Sequence, residues 1–345
     1  MHDWRFPAEW EPQDTVLLAW PHAGTDWAPR LAAVEATYVA LIAAITRFQL
    51  VLLCVADAML AQQVQDRLTQ AGVRPERVLL IEIDYDDTWL RDSGPITLLD
   101  GSGAARFLDF RFTGWGGKFG AGRDDALVQG LAERGVLDET AVRRSEFALE
   151  GGAIETDGRG TLLSTWRCLA ERHPDKSREH IAQSLCQTLA QDRVLWLEHG
   201  HLEGDDTDAH IDTLARFAPG DAIVFQACDD PQDSHHAELA AMADEIAALR
   251  TLDGRPYRLF PLPWPRPIHD AGRRLAASYA NFLTINGAVL MPAYDDPADA
   301  RAAAVLRAAF PQREIVPIPC RALIWQNGSL HCVTMQLPQG ALSNV

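Results

Sequence analysis

TVLLAWP at Thr15–Pro21, an amphipathic stretch at Pro29–Arg47 and then LVLLCVA at Leu50–Ala56 decide how this chain is read. Apolar residues at 31, 34, 38, 41, 42 and 45 recur with helical spacing, while the flanking runs are short, continuous and rich in branched side chains. The pattern is a strand, a helix and a return strand. It recurs roughly every 50–70 residues. ARFLDFRF, a helix near Asp124–Arg134 and AVRRSEF make a second copy; TLLSTWRC, Lys176–Ala190 and RVLWLE make a third. DAIVFQA, Pro231–Leu249 and YRLFPLP make a fourth, and GAVLMPAY, Pro297–Phe310 and EIVPIP a fifth. The first copy carries an extra helix and the strand VLLIEID. Turns such as TDGRG and FAPGD join strands into hairpins ahead of the helices. GSGAAR at Gly101 lacks the third glycine and the following helix of a dinucleotide fingerprint, so it reads as a turn. Five such units suit a linear solenoid, a doubly wound sheet or a closed ring, and periodicity alone does not choose.

The 345 residues contain no low-complexity linker and read as one domain, 1–345. The start, MHDWRFPAEWEP, is polar and acidic, unlike a signal peptide. FQLVLLCVA at Phe48–Ala56, read as the longest strongly apolar run, is too short for a membrane span. Cysteines 54, 168, 186, 228, 320 and 332 show no C-x-x-C spacing and lie mostly in apolar runs. Reduced thiols in a cytoplasmic protein follow, rather than a disulfide framework or zinc knuckle. A net charge of −17 argues against nucleic acid and anionic membranes as partners and for a small cationic ligand. The sequence is compatible with a homo-oligomer.

The segments after the return strands carry the chemistry. They read DDTWLRDSGP, EFALEGGAI, GHLEGDDTDAHIDTLARF, RLAASYANFLTINGA and IWQNGSLHCVTMQ. Four of the five hold a carboxylate, histidine or cysteine beside glycine, which nominates Asp92, Glu150, His210, Asp212 and Cys332. A thiolate is a nucleophile that needs a nearby base or cation. On a strand, His331 would point away from Cys332, whereas His210 and Asp212, two apart, would share a face. Carboxylates suit a planar cation held by forked hydrogen bonds. Each feature also has a plainer reading. RDSGP fits an exposed turn, EGDDTD an acidic loop, Cys332 a small buried hydrophobe, and the tryptophans core or rim packing. HGH followed by HID also fits a metal site of His199, His201, His210 and Asp212.

Taken in order, FPAEWEPQDTVLLAWP, DDTWLRDSGP, FTGWGGK, EGGAIETDGRGTLLST, DDTDAHIDTLARF, SYANFLTINGAVLMP and NGSLHCVTMQLP resemble the agmatine deiminases and Porphyromonas-type peptidylarginine deiminases of the guanidino-group-modifying superfamily. The resemblance spans nearly the whole chain. It implies an α/β fold, a five-fold pseudosymmetric α/β propeller (pentein), with a nucleophile at Cys332, a catalytic histidine at His210 and a supporting Glu150. It also implies guanidinium-binding carboxylates at Asp92 and Asp212, with Trp89 and Thr207 as further substrate contacts, and no metal or organic cofactor. The sequence departs from the agmatine deiminase pattern at WQNGSLHC, at AHIDT and in a short loop after WGGK. The expected activity is hydrolytic deimination of a small guanidine: agmatine and water to N-carbamoylputrescine and ammonia, through an amidino-cysteine, in polyamine biosynthesis. Action on peptidyl arginine, a metal-dependent hydrolase and a non-catalytic binder of cations are the alternatives. Asp86, Asp87, Asp205, Asp206 and Asp208 are expected to attract a dication, while no basic residue in these loops stands out as free to receive arginine's carboxylate, Arg91 and Lys118 being the near candidates.

Overall fold

The computed structural model describes residues 3–342. Its strands form small separate sheets, which excludes a single doubly wound sheet among the described residues. The fold is mixed α/β, and the chain divides into two compact units.

One unit contains residues 11–151 and the segment from His331 onward. Its first sheet runs in the order Met335–Pro338, Gln13–Ala19, Leu50–Val55, Val78–Glu82. The first pair is antiparallel and the others are parallel, with Leu17 opposite Leu52 and Leu52 opposite Leu79. The two middle strands are almost wholly buried, as continuous apolar runs must be when both faces are covered. Helix Leu31–Ile45 connects them. Helix Ala58–Gln70 makes the next crossover, and the Asp57 carboxylate caps it by accepting the Leu60 N–H. The stretch Ala28–Ile45, longer than the run singled out from sequence, is apolar enough to cross a membrane by length and composition. Here Val34, Tyr38, Leu41, Ile42 and Ile45 are buried, so it is a core crossover helix. In the second sheet, Ile96–Asp100 runs antiparallel to Ala105–Arg111, which pairs in parallel with Val142–Ala148. The turn at Gly101 is closed by Asp100, whose Oδ1 accepts the Ser102 and Ala104 N–H groups.

The other unit contains Gly152–Leu330 with the N-terminal residues through Trp10. It repeats one plan three times: an antiparallel hairpin whose second strand pairs in parallel with a third strand after a helix. Ile154–Thr156, Thr161–Thr165 and Arg193–Leu197 form the first. Ala215–Ala218, Ala222–Gln226 and Arg258–Leu262 form the second, and Leu283–Ile285, Ala288–Ala293 and Glu314–Pro319 the third. The crossover helices Arg178–Thr188, His236–Ala248 and Ala298–Ala309 lie within the expected spans. TLLSTWRC is not one strand: it ends at Thr165, and Trp166–Arg172 is a helix. Leu163, Leu197, Ile211, Leu214, Phe217, Ile223, Met242 and Ile246 belong to one buried cluster, which ties the hairpins to the helices.

Candidate active site

Each nominated residue lies in a segment that leaves the last strand of one sheet and enters the first strand of the next. In the unit with residues 11–151, three such segments meet. Asp92 sits on the short buried helix Leu90–Ser93. The Arg91 N–H donates to the carbonyl of Cys332 (3.1 Å), and Arg91 Nη1 lies 3.7 Å from Met335 Sδ. A Cβ on Gly151, next to Glu150, would overlap the carbonyl oxygen of Arg91. Glycine is therefore required beside Glu150 by close backbone approach. Asp92, Glu150 and Cys332 are all buried. Trp115 Nε1–H donates to Asp92 Oδ2 (2.9 Å). That indole is carried by four successive left-handed residues, Gly114, Trp115, Gly116 and Gly117, which explains the glycines around it. Trp89 precedes the Asp92 helix and packs on Trp27 (5.5 Å between ring centroids), whose Nε1–H donates to Thr88 Oγ1.

In the other unit, His210 is 1% exposed and Asp212 fully buried. The residues between them do not form a strand; His210 opens a short 3-10 turn at Ile211–Thr213. His210 and Asp212 therefore do not share a strand face. Asp205 builds the approach to His210: its carboxylate accepts the Thr207 N–H (3.1 Å), the Thr207 hydroxyl (2.5 Å) and the Ala209 N–H (2.8 Å). Thr207 Oγ1 accepts the His210 N–H (3.2 Å), and Thr213 Oγ1 donates back to the His210 carbonyl (2.9 Å). Asn281 Nδ2 donates to the Asp212 carbonyl (3.2 Å). Fully buried Arg216 binds Glu155, Glu9 and the Phe282 carbonyl. Burial opposes its charge, but Glu155, Glu9 and Asp212 outweigh that and raise its pKa.

One unit thus offers a buried thiol with buried carboxylates, and the other a buried imidazole with a buried carboxylate. Residues 5–338 match the Porphyromonas-type peptidyl-arginine deiminase family. The chain belongs to this family. A curated agmatine deiminase of Stutzerimonas stutzeri is 34% identical, over 96% of this chain and 95% of the relative. A proposed arginine deiminase of Porphyromonas gingivalis is 45% identical with a TM-score of 0.89, covering 98% of this chain and 99% of that one. A cysteine-to-serine variant of a C. jejuni agmatine deiminase, solved with substrate bound, is 32% identical with a TM-score of 0.89, over 98% and 97% of the two chains.

Several features of this deiminase-family chain depart from the sequence reading. Cys332 lies in a turn, with Thr334 hydrogen-bonded back to the His331 carbonyl, and the strand begins only at Met335. Strand alternation thus gives no reason to prefer His210 over His331. His199 and His201 are 46% and 44% exposed and face Glu245 and Glu238, whereas His210 and Asp212 are buried. The four do not gather as a metal site. The acidic loop is also built differently from the expectation. Asp205 closes a turn, Asp206 accepts from Asn327 (2.7 Å), and Asp208 pairs with Arg172 (2.7 Å). Asp86 accepts the Arg123 N–H, and Asp87 accepts the Thr88 N–H. These carboxylates shape loops. Sequence reasoning missed Trp115, Cys168, Arg172, Arg216 and Asn281. The fourth segment holds no acid, histidine or cysteine, yet its SYANF run supplies the Asn281 amide.

Proposed function

We propose that this protein hydrolyses agmatine and water to N-carbamoylputrescine and ammonia, a step of polyamine biosynthesis, as a cytoplasmic enzyme. The observation that carries the reading is the match to curated agmatine deiminases at 33–35% identity over nearly the full length of both chains. Asp92 and Asp212 accept hydrogen bonds from the guanidinium, with Trp89 and Thr207 as further contacts, and orient its carbon for attack. The Cys332 thiolate adds to that carbon. The C–N bond then breaks as His210 gives a proton to the leaving ammonia, and an amidino-cysteine remains. His210 next takes a proton from water, whose oxygen adds to the same carbon; the C–S bond breaks, releasing the ureido product and thiolate. Glu150 orients the imidazole. Capture of the C. jejuni relative with substrate as a cysteine-to-serine variant is in keeping with a cysteine nucleophile. The finer fold reading, a five-fold pseudosymmetric propeller acting as one domain, is supported by the five-fold recurrence of the antiparallel-then-parallel sheet.

A second reading, arginine or peptidyl arginine as substrate, is favoured by the 45% identity to the proposed arginine deiminase. Of the two candidate cations, Arg91 is buried against Met335 and Lys118 is exposed. Burying an unpaired carboxylate costs several kcal/mol. A panel of agmatine, free arginine and arginyl peptides, scored by ureido formation, decides between them. The kcat/KM for agmatine is expected to exceed that for arginine by about a hundredfold or more. Equal processing of arginine or an arginyl peptide overturns the agmatine assignment and leaves the deiminase chemistry standing.

A further inference from the structure

We propose that the short helix Trp166–Arg172, with Thr165 at its N-terminus, is the positioning element for His210. The proposal rests on the reading of His210 as the proton-transfer group. Residues 165, 168 and 172 follow one another at steps of three and four, so they line one side of the helix. All three reach the same loop. Thr165 Oγ1–H donates to the carbonyl of Ala209 (2.7 Å). Arg172 Nη1–H donates to Asp208 Oδ2 (2.7 Å), and Nη2–H donates to the carbonyl of Thr207 (3.1 Å). Cys168 Sγ lies within 4.8 Å of a ring nitrogen of His210, and both residues are buried. The three residues before the histidine are thus each held by a side chain of this helix, and the imidazole itself has the helix's thiol beside it.

The loop needs such support. Asp208 and Ala209 are consecutive non-glycine residues in the left-handed region, at φ 67° and 71°. That conformation persists only where the surroundings over-determine it. Arg172 has only 1% of its side chain exposed, so its charge is buried and Asp208 is its partner. Its planar fork binds a carboxylate and a peptide carbonyl together, a combination that a lysine ammonium reproduces only in part. On the far side of His210, Thr213 closes on the histidine carbonyl through its own hydroxyl. The helix therefore governs the upstream side and the local turn the downstream side. A shift of the loop would displace the imidazole relative to the atoms it serves, and displacement of about 1 Å lowers turnover by about a hundredfold.

The test uses the full-length enzyme with agmatine as substrate and compares Arg172→Met, Arg172→Lys and Cys168→Ala. Arg172→Met is expected to lower kcat by about a hundredfold with KM changed by less than about threefold, and Arg172→Lys to recover about tenfold of that loss. The titration of the His210 imidazole, followed by NMR, should move in Arg172→Met and in Cys168→Ala. Folded variants with wild-type kcat per folded molecule and an unmoved His210 titration overturn the proposal, even if their Tm falls. Should Arg172→Met not fold, the same criterion applies to Arg172→Lys and Cys168→Ala together. Retention of activity by His210→Asn would instead overturn the role given to the histidine, while the NMR titration still reads the positioning.

Discussion

The part of the chain that carries Cys332 and the part that carries His210 hold their candidate residues by different means. Around Cys332 close backbone contacts stand out: the Arg91 N–H meets the Cys332 carbonyl, and Gly151 lets the Arg91 carbonyl approach, with the Trp115 indole on Asp92 beside them. Around His210 side chains stand out, with Asp205, Thr207, Arg172 and Thr165 each binding a peptide group of one loop. Backbone packing tolerates no added atom, since the obstructing oxygen cannot turn aside as a flexible side chain can. A side-chain network loses its members one at a time, at about 1 kcal/mol for a typical hydrogen bond and more where charge is involved.

The contrast breaks most visibly at Gly151. Gly151→Ala is expected to destabilise the fold by about 3 kcal/mol or more, because the methyl group must displace backbone. Urea unfolding checks this; a cost below about 1 kcal/mol would mean the close approach is not rigid. Asp205→Ala should cost less, about 1–2 kcal/mol, as loss of a capping residue usually does. Its kcat should nevertheless fall, because three hydrogen bonds that set the approach to His210 go with the carboxylate. Unchanged kcat in a folded Asp205→Ala enzyme would remove the side-chain half of the contrast.

The same difference decided what could be read from sequence. The strand–helix–strand units were legible because apolar period and turn residues are local signals, and helices such as Ala298–Ala309 fall where expected. The glycines beside Glu150 and around Trp115 stand where backbone approaches closely or takes positive φ. What the acids in EGDDTD do was not legible. A run of aspartates looks alike whether it faces solvent or folds back on its own N–H groups, and only Arg172, more than thirty residues upstream, reveals the use of Asp208. The short turns at His210 and Cys332, only a few residues each, carry too little periodicity to be told from strand. Trp166–Arg172 was lost for the same reason, being only 7 residues long and continuous with an apolar strand.

A smaller effect sharpens the contrast from the side of charge. Burial raises the Asp87 carboxyl to about 7; Thr88 hydrogen bonds oppose the shift, and Asp124 and Asp26 add to it. An unfolded aspartate titrates near about 3.9. Because the folded pKa is the higher, the favourable contribution of Asp87 is complete below about pH 4 and is lost as pH rises through about 7. Asp124, raised to about 6 by burial, acts in the same direction and leaves a residual slope. Asp87→Asn should therefore raise Tm by about 2–4 °C at about pH 8 and leave it nearly unchanged at about pH 4. Equal pH slopes for variant and wild type would show that Asp87 is not desolvated in this way.

Cys332 is expected to form a covalent amidino intermediate with a guanidine. Rapid acid quench of the enzyme during agmatine turnover, followed by peptide mass spectrometry, tests it most directly. The adduct mass is expected on the peptide containing Cys332 and on none containing Cys54, Cys168, Cys186, Cys228 or Cys320, and Cys332→Ala should release no ammonia while remaining folded. Wild-type turnover by Cys332→Ala, or an adduct on another cysteine, would rule out Cys332 as the nucleophile.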